Sequence, residues 1–157
     1  MSNCIEKDII DSIIVAVKEV KTGSGWSINI DDSYVTENVF AFTGWPNKYL
    51  IIVAPLESRP DDEVANRTRN VIEWQIKIMV QPSDKAIADR YDLTASIRDS
   101  IMTNPRRPMS SVNLATLTTI TSTRYWFATS EQGVLAIVAD IEGFCVVHHA
   151  VTNYRGA

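Results

Sequence analysis

The stretch Val71-Ile72-Glu73-Trp74-Gln75-Ile76-Lys77-Ile78-Met79-Val80-Gln81-Pro82-Ser83-Asp84 decides the fold class. Successive side chains of a strand alternate in direction, so Ile72, Trp74, Ile76, Ile78 and Val80 share one face and Glu73, Gln75, Lys77 and Gln81 the other. One face is core and the other is not. Pro82 cannot donate to a ladder and ends the strand, and Ser83 offers a helix cap. From Asp84 the period changes. Residues 84–103 read as a helix with Ile87, Tyr91, Ile97 and Ile101 on a broad apolar side and Asp89, Asp92, Ser96 and Asp99 on the wet side. Two arginines project within the apolar arc: Arg90 reads as snorkelling at its edge, and Arg98, nearer the middle, as either an inter-subunit ion pair or a second snorkelling side chain.

Upstream, Ile5, Ile9, Ile13, Val17 and Val20 recur at helical spacing, with Ile10 and Ile14 widening the stripe, and predict a helix over 5–21. Asn3 with Glu6 forms a capping box in this reading, and Gly23 supplies the stop. Residues 26–30, 34–42 and 49–54 read as strands separated by Asp31-Asp32-Ser33 and Gly44-Trp45-Pro46-Asn47. Residues 57–70 read as a polar connection too long for a tight hairpin, projecting from the body.

Downstream, Asn104-Pro105-Arg106-Arg107-Pro108 stops the second helix. A Thr-rich strand over 112–128 follows, then a hairpin turn at Ser130-Glu131-Gln132-Gly133 and a last strand over 134–149, with Gly143 read as a bulge. The whole reads as one α+β domain over residues 1–157, a mixed or antiparallel β-sheet packed against two α-helices.

Composition agrees with a folded domain. The 157 residues are 45% hydrophobic and 22% charged, which argues against disorder and allows a core without staples. The formal charge of −4 lacks the positive field of a general nucleic-acid binder. Two cysteines are too few for a disulfide framework, so a reducing compartment is expected. The acidic start, MSNCIEKD, and the absence of an apolar run of about 18 residues predict neither export nor membrane insertion.

The chemistry-bearing residues do not assemble into a familiar site. His148 and His149 are adjacent on a strand and point to opposite faces. Cys145 reads as buried core, and the doublet Asp31-Asp32 and the run Asp61-Asp62-Glu63 as solvated turns. No phosphate-binding glycine loop occurs. The expectation is a protein with no catalytic, metal or cofactor site, hence not an enzyme.

The element order is a capped N-terminal helix, a meander broken by a long charged segment, a second helix after Gln81-Pro82-Ser83-Asp84, and a closing hairpin. It resembles the tail terminator proteins of long-tailed bacteriophages, the family of the lambda tail terminator, over nearly the full chain. The resemblance implies a virion protein at the tail–neck junction, assembled in the host cytoplasm. It implies a homo-oligomeric ring, usually a hexamer, that caps the tail tube, stops its polymerisation and docks to the head or neck. The implied partners are further copies of the chain, the tail tube protein, a connector or stopper protein, and genomic DNA sliding through the lumen without specific binding. A neck, head-completion or minor tail role is the neighbouring alternative, and a small-ligand-binding or enzymatic α+β domain the alternative of another class. The residues expected to make partner contacts are Arg59, Asp61, Asp62, Glu63, Arg67 and Arg69 of the charged segment, Glu73, Gln75 and Lys77 of the wet strand face, Arg98, and Arg106 and Arg107.

Overall fold

The alternation at residues 71–80 is realised in the middle strand of a five-stranded mixed sheet. The computed structural model describes residues 4–37, 48–64, 67–103 and 115–150. In chain order the elements are α1 (Ile5–Lys18), β1 (Val35–Thr36), β2 (Tyr49–Val64), β3 (Arg67–Val80), α2 (Ala86–Thr103), β4 (Ala115–Ser130) and β5 (Gly133–Ala150). The strands lie in the order β1-β2-β3-β5-β4, with β1 parallel to β2 and every other pair antiparallel.

On β3, Ile72, Trp74, Ile76 and Ile78 are fully buried and Val80 nearly so, while Glu73, Gln75 and Lys77 are half-exposed. Burying those five side chains contributes on the order of 10 kcal/mol before chain entropy is set against it. Register carries the same face onto the neighbours: Ile76 lies between Val53 and Ile141, and Ile78 between Ile51 and Ala139. Both helices cover this face, α1 through Ile5, Ile9, Ile13, Ala16 and Val17 and α2 through Leu93, Ile97 and Ile101. Ser100 of α2 donates to the Ala16 carbonyl of α1 at 2.6 Å, locking the helices together.

Trp74 pairs with Gly143 across the β3–β5 ladder. A side chain at 143 would strike the indole and the Thr119 carbonyl, so the glycine is required by close approach. The bulge expected at Gly143 sits on the opposite strand, where the register shifts between Ile120 and Ser122. The hairpin turn at Glu131-Gln132 forms as expected, with Gly133 at φ +119°.

Other expectations are corrected. The segment 57–70 is not a projecting loop: β2 and β3 continue through it as a long hairpin, register reaching Val64 opposite Arg67. Register shifts beside Pro55 and Pro60 accommodate the two prolines and break the alternation, which is why the strand does not read from sequence. Helix α1 ends at Lys18 and not at 21, and its N-cap is Cys4, whose side chain makes no cap bond. Asn3 lies outside the described residues. The glycine in the left-handed conformation is Gly25, not Gly23, and it closes a short 3-10 turn at Thr22–Ser24.

Residues 26–30 form no strand: the Trp26 and Ile30 amides donate to the Lys21 and Val20 carbonyls just past the end of α1, and the Asn29 and Ile30 carbonyls accept from the Tyr49 hydroxyl and Lys21 Nζ. Asn29 accepts from the Thr22 amide at 2.6 Å, and the Tyr49 hydroxyl bonds Asp31 and Asn29. The strand expected at 34–42 is confined to Val35–Thr36 among the described residues. The Asp31-Asp32 turn is solvated as expected. The Ser33 hydroxyl and amide hydrogen-bond the Asp31 carboxylate and hold its pKa below the usual range. Cys145 is buried as core and lies 3.3 Å from the Thr118 hydroxyl.

On α2 the buried stripe is rotated from the expected one. Ala86, Arg90, Leu93, Ile97 and Ile101 face the sheet, Ser96 is buried, and Ile87 and Tyr91 stand half out of the surface. Arg98 is exposed, outside the buried arc. Arg90 does not snorkel: it is 4% exposed, with its guanidinium donating to the carbonyls of Trp126 and Val138.

Candidate interaction surfaces

With both helices on one side, the other side of the sheet carries a polar stripe across β3, β5 and β4. At its centre is Asp140, 2% exposed within the apolar run of β5. Its carboxylate accepts from Lys77 Nζ at 2.8 Å, Arg124 Nη2 at 3.0 Å and Trp126 Nε1 at 2.7 Å. Burial alone would push the Asp140 pKa up, but these three donors outweigh it and hold the carboxyl below its ordinary value. Lys77 also lies 4.8 Å from the centre of the Trp126 ring, a cation–π contact. Next along the stripe, Gln75 donates to Glu142 at 3.0 Å, and Arg59 pairs with Glu73 at 3.1 Å. The stripe is a preformed, charge-compensated surface.

A second surface lies along β4 and α2 on the helix side. Tyr125 and Phe127 of β4 and Tyr91 and Ile87 of α2 are each 41–50% exposed. The Arg90 guanidinium sits beneath them, 4.9, 5.3 and 5.5 Å from the Tyr125, Tyr91 and Phe127 rings. Tyr91 meets Tyr125 edge-on at 5.2 Å. Aromatic faces supply the negative end of a quadrupole to a cation that has no carboxylate within 4 Å among the described residues. The Arg90 Nε is buried without a partner there.

A third feature is a polar groove of about 380 Å³ at the end of the sheet, lined by Lys48, Gln81, Ser83, Asp84, Lys85 and Asp89 among others. It adjoins a smaller hollow of about 200 Å³ that shares Lys48 and Asp89. Among the described residues no three His, Cys, Asp or Glu side chains converge as metal ligands. No described helix is long and apolar enough to cross a membrane.

The expected contact residues are partly brought together. Arg59, Glu73, Gln75 and Lys77 share the bare face of the sheet. By register, Asp62 lies opposite Arg69 and Glu63 opposite Thr68, while Asp61 occupies the shift between Pro60 and Asp62. Arg67 stands between Val64 and Ala150. Arg98 stands apart on α2, and Arg106 and Arg107 lie outside the described residues. Sequence reasoning missed Asp140, Glu142, Arg124 and Trp126, and the Tyr91–Tyr125–Phe127 cluster. Two signals pointed to them: a lone acid inside Val138-Ala139-Asp140-Ile141, and the i, i+2 spacing of Arg124 with Trp126 and of Tyr125 with Phe127.

No known protein family and no curated protein matches the sequence.

Proposed function

We propose that this chain is a structural subunit that assembles with copies of itself into a ring at the end of a bacteriophage tail tube. The ring ends tube growth and offers a docking face to the head or neck. The observation that carries this reading is the two-sided character of the sheet, with helices on one face and a charge-compensated stripe on the other, beside an aromatic-lined edge. Such a body has separate surfaces for lateral neighbours and for axial partners. The resemblance in element order supplies the tail context, and the charge of −4 suits a lumen through which DNA slides.

The test is tube growth. Purified tail tube protein polymerised with the chain should give shorter, uniform tubes that carry a ring at one end in electron micrographs. Unchanged tube lengths and bare ends would refute the terminator role. Binding to the connector alone would favour the neck-completion alternative. A second reading, a small-ligand-binding domain, draws on the 380 Å³ groove lined by both ammonium groups, Lys48 and Lys85, and carboxylates, Asp84 and Asp89. It predicts a monomer whose melting temperature rises with a zwitterionic or phosphorylated small molecule.

A further inference from the structure

We infer that Arg90 and the rings of Tyr91, Tyr125 and Phe127 form a docking site for a carboxylate side chain, carried on a short apolar-flanked segment of a partner protein. This gives a partner chemistry to the aromatic-lined edge invoked above. It rests on that edge being a contact surface and not on the ring.

The first ground is a buried charge without a counter-charge. Arg90 is almost wholly enclosed, and a guanidinium does not give up its proton in a protein. Its hydrogen bonds are two long ones from Nη1, 3.4 Å to the Trp126 carbonyl and 3.3 Å to the Val138 carbonyl. Both acceptors are uncharged. Nε has no partner, and no described carboxylate lies within ion-pair distance of the guanidinium. Asp140, buried to the same degree, is met by three donors, two of them cationic. A buried ion left unmatched is strongly unfavourable, so binding an anion beside Arg90 removes a penalty that the free chain carries.

The second ground is the frame around the cation. Tyr91, Tyr125 and Phe127 each stand about half out of the surface, with the guanidinium at their base, and Ile87 stands out beside them. Neither phenol hydroxyl makes a hydrogen bond among the described residues. Two O–H groups and one N–H are therefore uncommitted donors around a single positive charge. A carboxylate matches that charge one for one and accepts from several donors at once. A phosphate dianion would leave surplus negative charge against ring faces that are themselves negative.

The third ground is size. Aromatic side chains carry 150–250 Å² each, so four half-exposed residues offer roughly 350 Å². A stable dimer takes about 800 Å² from each partner. The patch is too small to hold a second copy by itself and fits a segment of a few residues. Arg and Tyr are the residue types that dominate such small, tightly contacted sites.

The experiment measures fluorescence anisotropy of labelled, acetylated pentapeptides on the full chain. The probes have Glu at the centre with Leu and Phe on either side, and the controls have Gln in its place. Wild type should prefer the Glu peptides by about tenfold or more, as expected for a charge-assisted bond. The Arg90 Nε–H signal in the nuclear magnetic resonance spectrum should shift with the Glu peptides and stay with the Gln peptides. Arg90→Met keeps the buried stem and should lose the preference, its thermal transition reporting that it is folded. Tyr91→Leu with Tyr125→Leu, on the surface, is the second variant and should weaken Glu-peptide binding without unfolding the chain. Equal binding of Glu and Gln peptides, no binding of either, or an Arg90→Met chain that keeps the preference overturns the inference. Phenylacetate that binds as tightly as the peptides overturns the protein partner in favour of a small organic acid. Self-association of wild type that the tyrosine variant abolishes overturns it in favour of a second copy. Tube growth is read separately: acid-selective binding with unchanged tube lengths would sink the tail role and keep the carboxylate site, and shortened tubes without acid-selective binding would do the reverse.

Discussion

Replacing Gly143 by alanine tests the register at the heart of the core. The added Cβ would lie 2.3 Å from the Thr119 carbonyl oxygen and 2.5 and 2.8 Å from Cζ2 and Cη2 of Trp74. Non-bonded carbon atoms rest near 3.5–4.0 Å, so both neighbours must yield by about 1 Å. Neither can do so cheaply. One is backbone in a ladder, and the other is an indole with no exposed surface. Overpacking of this kind costs about 1–3 kcal/mol, and the rigidity of both obstacles places Gly143→Ala at the upper end. Gly143 is not in the left-handed region, so alanine regains about 0.5–1 kcal/mol by restricting the unfolded chain. The net loss is about 2 kcal/mol, a fall in melting temperature of roughly 4–8 °C for a chain of this length. Urea and thermal unfolding of purified protein measure it. In a Trp74→Leu background the penalty should shrink by about 1 kcal/mol, the Thr119 carbonyl remaining as the second obstacle. A Gly143→Ala protein within about 0.5 kcal/mol of wild type would refute the Trp74–Gly143 pairing.

Trp74→Ala should cost about 3–5 kcal/mol, whereas Trp74→Phe should cost clearly less, because the buried indole N–H has no partner among the described residues to lose; equal losses in urea titrations would contradict this. Arg90→Ala should lose about 2–4 kcal/mol and Arg90→Met only about 1, since the buried stem contributes packing and the Trp126 and Val138 carbonyls belong to strands paired with each other. A Met variant as damaged as the Ala variant would show that the charge itself is required. For Asp140 the folded pKa lies below the unfolded value of about 3.9, so its stabilisation is complete above that pH and is lost as pH falls through the folded pKa. The stability gap between wild type and Asp140→Asn, followed by denaturant titration, should therefore narrow on acidification below about pH 4. A gap that stays constant down to pH 2 would contradict the three-donor site.

The sheet-plus-helix class, the core face of β3, the second helix and the Glu131-Gln132 turn were all legible, because each follows from local periodicity or turn chemistry. The outer half of β2 was not. Its carboxylates and prolines look like loop, yet exposed strand positions tolerate charge, and bulges tolerate proline. The buried stripe of α2 was misread for a related reason. Arg90 is hydrophilic by composition, but a planar cation between three rings and two carbonyls packs as core, while Ile87 and Tyr91 are left outside. Asp140 was hidden because its donors come from two other strands, Lys77 of β3 at 63 residues' distance and Arg124 and Trp126 of β4 across the hairpin. No window on one strand contains the site.

The position of β5 has a consequence for synthesis. It is the last described strand in chain order yet lies inside the sheet, between β3 and β4. Until it leaves the ribosome, the backbone edge of β3 that pairs with β5 has no neighbour. The nascent polypeptide must carry that open ladder through translation of some seventy further residues, counted from Val80 to Ala150. Sheet closure is therefore a late, long-range event that cannot proceed from the N-terminus onward, and the half-made chain is when stickiness and chaperone demand should peak.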